Sequence, residues 1–266
     1  MPPPALPASG TTSRFRLFRT VSALMLREMG SRYGRSPGGY IWALLEPLGM
    51  IAILSLAFAL VARSPPIGTS FILFFGSGYT IFSLYQTLAN TISRAMKFSR
   101  ALLNYPIIHW IDPIIARFLL NTMTGILVMY VIMTGITLSL DDPILIDIRP
   151  IVEAIFLTTF LGFGVGMLNC FLISVSPAWE NIWTILNRPL FLVSGVIFLY
   201  EDMPPLAQEV VWYNPLLHII GLMRRGFYPT YEAPYVSVAY VAGFALITLF
   251  FGTVFMRRYH RVILAR

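Results

Sequence analysis

The sequence predicts an all-α integral membrane protein. It has six transmembrane helices, an amphipathic helix lying in the interface before the first, and a re-entrant helical hairpin before the last. Three observations carry this. Six apolar stretches reach or approach the ~20 residues that cross a bilayer: 41–61, 69–89, 113–138, 151–175, 185–200 and 235–256. The 266 residues are 57% hydrophobic and only 12% charged, about half the charged fraction of a soluble domain, and mean hydropathy is +0.73. Basic residues alternate with those stretches. Arg14, Arg16, Arg19, Arg27, Arg32 and Arg35, then Arg94, Lys97 and Arg100, then Arg257, Arg258, Arg261 and Arg266 fall on one side. The opposite loops hold Arg63, Arg149, Arg224 and Arg225 beside seven acids. The positive-inside rule then puts both termini in the cytoplasm, as an even number of spans requires.

Residues 1–13 are rich in Pro, Ser, Thr and Gly and read as a disordered terminus. No apolar core of a removable signal peptide is expected there. The interfacial helix is expected over 14–36. Leu17, Phe18, Val21, Leu24, Met25 and Met29 fall near one face, with Arg16, Arg19 and Arg27 largely opposite, the pattern of a helix lying on a membrane surface. The remainder, 37–266, is one membrane domain. After span two, residues 90–112 begin basic and turn apolar at Leu102-Leu103-Asn104-Tyr105-Pro106-Ile107-Ile108-His109-Trp110. Exposed apolar residues on a short cytoplasmic loop fit a docking surface; a segment resting on headgroups fits equally.

Span four carries Gly162-Phe163-Gly164-Val165-Gly166, small residues that let backbones approach, within the chain or at a dimer seam. Span five is short and holds Arg188 and Pro189. Residues 201–234 are too broken by prolines to span. Pro204-Pro205 opens a short helix through Trp212, and Asn214-Pro215 reads as N-cap and first turn of another through Phe227. Such a hairpin is tolerated at membrane depth only when packed in protein or lining a cavity.

Enzyme chemistry is not expected of this chain, and no catalytic residue is assigned. A GxxxxGK[ST] phosphate loop, HExxH, CxxC and GxSxG are all missing from the sequence. Three scattered histidines and the lone Cys170 offer no metal site, and nothing points to nucleic acid. Glu46, Arg117, Glu153, Glu180 and Arg188 lie at or near span ends; such residues are functional candidates, or they snorkel to the interface. Tyr79, Phe82, Tyr85, Trp179 and Trp183 sit beside polar residues, where rings either pack or give a sugar chain apolar faces to slide on.

Residues 26–36 (Leu-Arg-Glu-Met-Gly-Ser-Arg-Tyr-Gly-Arg-Ser), continuing from Gly38 to Pro47, resemble the N-terminal signature of ABC-2 type exporters of cell-surface polysaccharides. Leu103-Asn104-Tyr105-Pro106 and 111–117 resemble the capsule, KpsM-like, branch; Asn214-Pro215-Leu216 and 224–228 match the pattern before its last span. The resemblance implies an inner-membrane half-transporter with a second copy of itself and two cytoplasmic ABC ATPase subunits, which hold ATP and Mg. A periplasmic adaptor, an outer-membrane channel and a lipid-linked acidic polysaccharide complete its implied partners; no cofactor is bound by the chain itself. It implies ATPase coupling through Leu102, Leu103, Tyr105, Pro106 and Ile107. Substrate access and path fall to Arg27, Arg32, Tyr33, Arg35, Trp42, Glu46, Tyr85, Trp183 and Arg188, with Trp212 and Tyr228 as a periplasmic aromatic lid. Spans one and five would form the seam, with Trp42, Glu46 and Arg188 near their cytoplasmic ends. Another cargo of the same superfamily (O-antigen, teichoic acid or a small lipid) is the alternative. A membrane enzyme would need a convergent catalytic cluster, and a passive channel would not need the docking loop.

Overall fold

The computed structural model describes residues 13–33, 39–103, 108–140 and 144–265, with side chains in the first and last of these limited to 18–30 and through 263. Among the described residues there are ten helices and no strand. They are α1 (Ser13–Tyr33), α2 (Gly39–Val61), α3 (Phe71–Ser93), α4 (Ala95–Leu103), α5 (Asp112–Leu138), α6 (Ile148–Val175), α7 (Ala178–Val193), α8 (Pro205–Val211), α9 (Pro215–Phe227) and α10 (Val238–Ala265). Among the described residues, five segments are long and apolar enough to cross a membrane: α2, α3 continuing through α4, α5, α6 and α10. They correspond to five of the six expected spans.

Local chemistry sets the boundaries. Ser70 caps α3 by accepting the Leu73 amide, and Asp147 caps α6 by accepting that of Arg149. Asn214 accepts the Leu216 amide with Pro215 in the first turn of α9, satisfying donors that a helix start leaves free.

The sixth expected span differs. Its helix, α7, runs Ala178–Val193 rather than 185–200, and its 16 residues rise ~24 Å, short of the ~30 Å hydrocarbon core. The polar start Trp179-Glu180-Asn181 is helical because Glu180 is held by Arg94 and Lys97, which flank the start of α4. The far end stops early because Gly195 takes φ +78 and the Asn214 amide donates to the Val193 carbonyl. Val196, Ile197 and Leu199 then continue as buried, non-helical chain.

Helices α3 and α6 form the centre. Glycines let them meet. A Cβ on Gly162 or Gly166 would lie 2.8 Å from Leu88 Cβ or Ile92 Cβ of α3, and one on Gly164 would lie 2.5 Å from the Ala245 carbonyl of α10. The small-residue run therefore packs within the chain, the first of its two readings. Two short helices, α8 and α9, occupy the region where the hairpin is expected. From Leu216 to Arg224 every residue of α9 is buried, against α3 and α6. Arg224 sits 4.1 Å over the Phe74 ring and donates to the Val196 carbonyl at 3.0 Å, so its charge is held by a ring face and a loop carbonyl.

Candidate functional site

A polar cavity of about 640 Å³ lies where α1 to α5 converge. Helix periodicity builds its wall: Gln86, Thr87, Asn90 and Thr91 fall four apart in two pairs, so α3 turns amide and hydroxyl groups to one side. Arg27 and Glu28 of α1, Glu46 of α2, Phe98 and Leu102 of α4 and Arg117 of α5 complete it. The larger cavity, about 990 Å³, has no charged side chain in its walls and lies at the other end of α3, beside Phe71 and Tyr228.

Arg117 organises the polar cavity. Its guanidinium pairs with Glu28 at 3.1 Å, donates to the Thr91 carbonyl at 3.1 Å and lies 4.9 Å from the Phe98 ring centre. One side chain thus joins α1, α3, α4 and α5. The Arg117 side chain is 9% exposed and Glu28 22%, and the Arg117 Nε has no partner. A buried cation needs such satisfaction, since an uncompensated one is costly. At the start of α4, Arg94 and Lys97 each reach Glu180 at 3.0 Å. The Trp183 indole donates to Asn90 at 3.1 Å, and that of Trp179 to Asn169 at 2.7 Å. These bonds fasten the start of α7 to α3, α4 and α6.

The expected residues separate on this geometry. Arg27 and Glu46 line the polar cavity, and Trp183 touches its wall through Asn90. Trp42 is 60% exposed on the first turn of α2. Tyr85 is buried in the core of α3 at 4% exposure and offers no surface to a ligand; its register points inward while Gln86 takes the cavity side. Arg188 is exposed on α7 and stands well beyond the helix's start rather than near it. Leu102 lines the cavity and Leu103 packs beside Trp110 against the core. Tyr105, Pro106 and Ile107 lie outside the described residues, as does Arg35, and the side chains of Arg32 and Tyr33 do too.

The lid residues are packed rather than free. Tyr228 is buried at 6% exposure against Gly68, where a Cβ would lie 2.6 Å from its ring. Trp212 is half-buried, its ring 5.1 Å from those of His218 and Tyr240. The exposed aromatic between α8 and α9 is Tyr213, which with Leu206 and Val210 forms an open apolar face. Sequence reasoning missed Tyr213, although 206, 210 and 213 fall at helical spacing. It also gave Arg117 no specific role; an arginine within an apolar run was the available signal. No group of three or more metal-ligating side chains occurs among the described residues.

Comparison with known proteins agrees with this architecture. The ABC-2 type transporter family matches residues 19–228. The polysialic acid transport protein KpsM of Escherichia coli is 30% identical over 238 residues, covering 90% of this chain and 92% of KpsM. The capsule polysaccharide export inner-membrane protein BexB of Haemophilus influenzae is 24% identical over 245 residues, 91% of this chain and 92% of its own. The protein of the same description, CtrC, from Neisseria meningitidis serogroup B is 23% identical over 243 residues, again 91% and 92%. With five segments of membrane-crossing length among its described residues, a family match over most of its length and similarity to KpsM, BexB and CtrC nearly end to end, the chain belongs to the ABC-2 type transporter family and is KpsM-like.

Proposed function

We propose that this chain is the inner-membrane permease subunit of an ABC transporter that exports capsular polysaccharide. The observation that carries the reading is the similarity to KpsM, BexB and CtrC across nine-tenths of both partners in each comparison. The chemistry of the polar cavity supports it. Amides, hydroxyls and a ring face of Phe98 suit sugar hydroxyls, and Arg27 at the rim suits an acidic sugar or a lipid phosphate. The sequence has no phosphate-binding loop, so the driving ATP is hydrolysed on a separate ATPase.

In this reading both termini are cytoplasmic and α7, extended by 194–200, makes a sixth crossing. The α8–α9 hairpin enters from the periplasmic side and closes the outer end of the path. Helix α1 lies in the cytoplasmic interface beside the polar cavity, where a lipid-linked chain is admitted. The apolar segment after α4 docks on the ATPase, and because α4 is bonded to α7 through Glu180 and stacked on Arg117, its movement reaches both sides of the cavity. The path itself runs between two copies.

The first test is loss of the gene in a capsulated host: polysaccharide retained inside the cell supports export, and normal surface capsule overturns it. Retention of O-antigen or teichoic acid instead would identify another cargo. Tyr105→Ala tests coupling. It leaves the permease inserted but loses ATPase association, because an interface anchor contributes ~2 kcal/mol or more; full complex formation and export would remove the docking role. Replacing Arg27, Arg32 and Arg35 together with Gln lowers export at normal protein level, each contributing ~1 kcal/mol at an anionic surface. Unchanged export would leave α1 as an anchor only.

A further inference from the structure

We propose that Glu46 of one protomer pairs with Arg188 of the other, within the membrane, so that the α2–α7 seam is held by two symmetry-related ion pairs. The inference rests on the reading of a transporter built from two copies.

The first observation is exposure without partners. Glu46 on α2 and Arg188 on α7 are both exposed, each amid an apolar stretch of its helix. Neither takes part in an ion pair with another described residue. Two other arginines within apolar helices are handled internally: Arg117 by Glu28, and Arg224 by Phe74 and a carbonyl.

The second is depth. Helix α3 serves as a ruler. Glu46 lines one cleft with Tyr79, Ser83 and Gln86. On α7, Trp183 bonds to Asn90 while Phe191 meets Tyr79 and Phe82. Arg188 lies between those two contacts, so it stands abreast of the same central turns of α3. It is also ten residues, ~15 Å, beyond Ala178, too far to snorkel back to that end.

The third is surroundings. Arg188 is flanked by exposed Ile185, Leu186 and Leu192, and Glu46 by exposed Trp42, Leu45 and Leu48. These are faces built for apolar contact, each carrying one opposite charge. An arginine facing lipid at this depth is strongly unfavourable; Glu46, which is exposed and also lines the polar cavity, is the carboxylate that a second copy can bring to it. A second copy supplies what each face lacks. A two-fold axis that sets α2 against the partner's α7 necessarily repeats the contact, so both pairs form along the seam and no charge is left in lipid.

Two-fold symmetry also provides a decisive test. Glu46→Arg and Arg188→Glu are expressed singly, and together as two separate chains, in capsulated cells that lack the native gene and keep the rest of the export machinery. Each variant alone opposes like charges at both contacts, and export falls at least about tenfold, the loss that ~1.4 kcal/mol produces. When the two variants are co-expressed, a mixed dimer sets the arginine introduced in one chain opposite the glutamate introduced in the other at one contact, and keeps the native pair at the second. Random pairing makes about half of all dimers mixed, so export returns to about half of normal. If a single variant is degraded, recovery of both chains in the membrane on co-expression reports the same thing, because only a satisfied contact between chains can rescue two defective partners.

Failure of co-expression to restore either export or accumulation overturns the proposal. If the two changes placed in one chain rescue while co-expression does not, the pair lies within a protomer and the proposal is likewise wrong. The seam itself is read separately: in a Cys170→Ser background, cysteines at Leu45 and Ile185 link two protomers if α2 and α7 meet. Linking without rescue in trans keeps the two-copy reading and removes the ion pair.

Discussion

Glu28→Met should destabilise the protein more than Arg117→Met, although both break the same ion pair. The asymmetry follows from burial. The Arg117 side chain is 9% exposed and Glu28 22%. Removing Glu28 strands a guanidinium that keeps the Thr91 carbonyl and the Phe98 ring but loses its counter-charge; leaving an unpaired buried charge costs about 3 kcal/mol. Removing Arg117 puts a flexible methionine into the slot beside Phe98 and leaves a carboxylate that turns to cavity water, at a cost of about 1–2 kcal/mol. The double variant has no stranded charge and costs less than the sum by ~1.5 kcal/mol or more. Unfolding by detergent titration of all four proteins measures the cycle. Equal costs for the two single changes, or additivity within ~0.5 kcal/mol, would refute the account of Arg117 as a buried cation held by Glu28. A cysteine at Leu24 adds a local readout: labelling there should rise in either single variant as α1 loosens.

Two further predictions concern packing. Gly252→Ala places a methyl 2.6 Å from the Leu168 amide nitrogen and should destabilise the α6–α10 contact by about 2 kcal/mol, whereas Gly135→Ala, in open space on α5, should be neutral or stabilising by up to ~1 kcal/mol; thermal inactivation of the purified protein separates them, and equal effects would refute the close approach. Trp183→Phe removes the indole donor to Asn90 and should lower stability by ~1 kcal/mol with no further loss on adding Asn90→Ala; additive losses in the same assay would show that the bond is not made.

Much of the helical framework was legible because length and hydropathy decide whether a segment can cross a bilayer, whatever it packs against. That is why 41–61, 113–138 and 151–175 agree closely with α2, α5 and α6. The same rule misplaced the helix of span five. Hydropathy favoured 185–200, while the actual helix begins at Ala178-Trp179-Glu180 because Arg94 and Lys97, more than 80 residues earlier in sequence, hold Glu180. No local pattern contains that partner. Site residues divide in the same way. The adjacency of Tyr85 and Gln86 shows that the two face different sides, but only the position of α5 and α6 decides which turns inward; the tyrosine went to the core and the amide to the cavity. Tyr228 and Trp212 were legible as aromatics at a boundary, whereas the space under Gly68, which buries the first, and the ring cluster around His218, which half-buries the second, arise from segments brought together around α9.

The depth of a charge was the least legible quantity and is the most consequential one. In sequence, Arg117, Arg188 and Arg224 all look alike: an arginine beside or within an apolar run. Packing gives them three different environments. Arg117 found a carboxylate on α1, Arg224 a ring face and a carbonyl, and Arg188 no counter-charge among the described residues. Two of the three are buried against partners within the chain, whereas the third is exposed on an apolar stretch of α7. In the proposed seam the partner of Arg188 is Glu46, which is exposed on α2 and lines two clefts against α3. Substituting Arg188 by Leu makes the point quantitatively. If the arginine faced lipid, the change would raise the stability of the single chain by about 2.5–3.5 kcal/mol. If it meets Glu46 across the seam, the same change strands two carboxylates per dimer, and the fraction of dimer in cross-linked membranes falls while the chain still inserts. A variant that stays fully dimeric, and exports normally, would place Arg188 outside the seam.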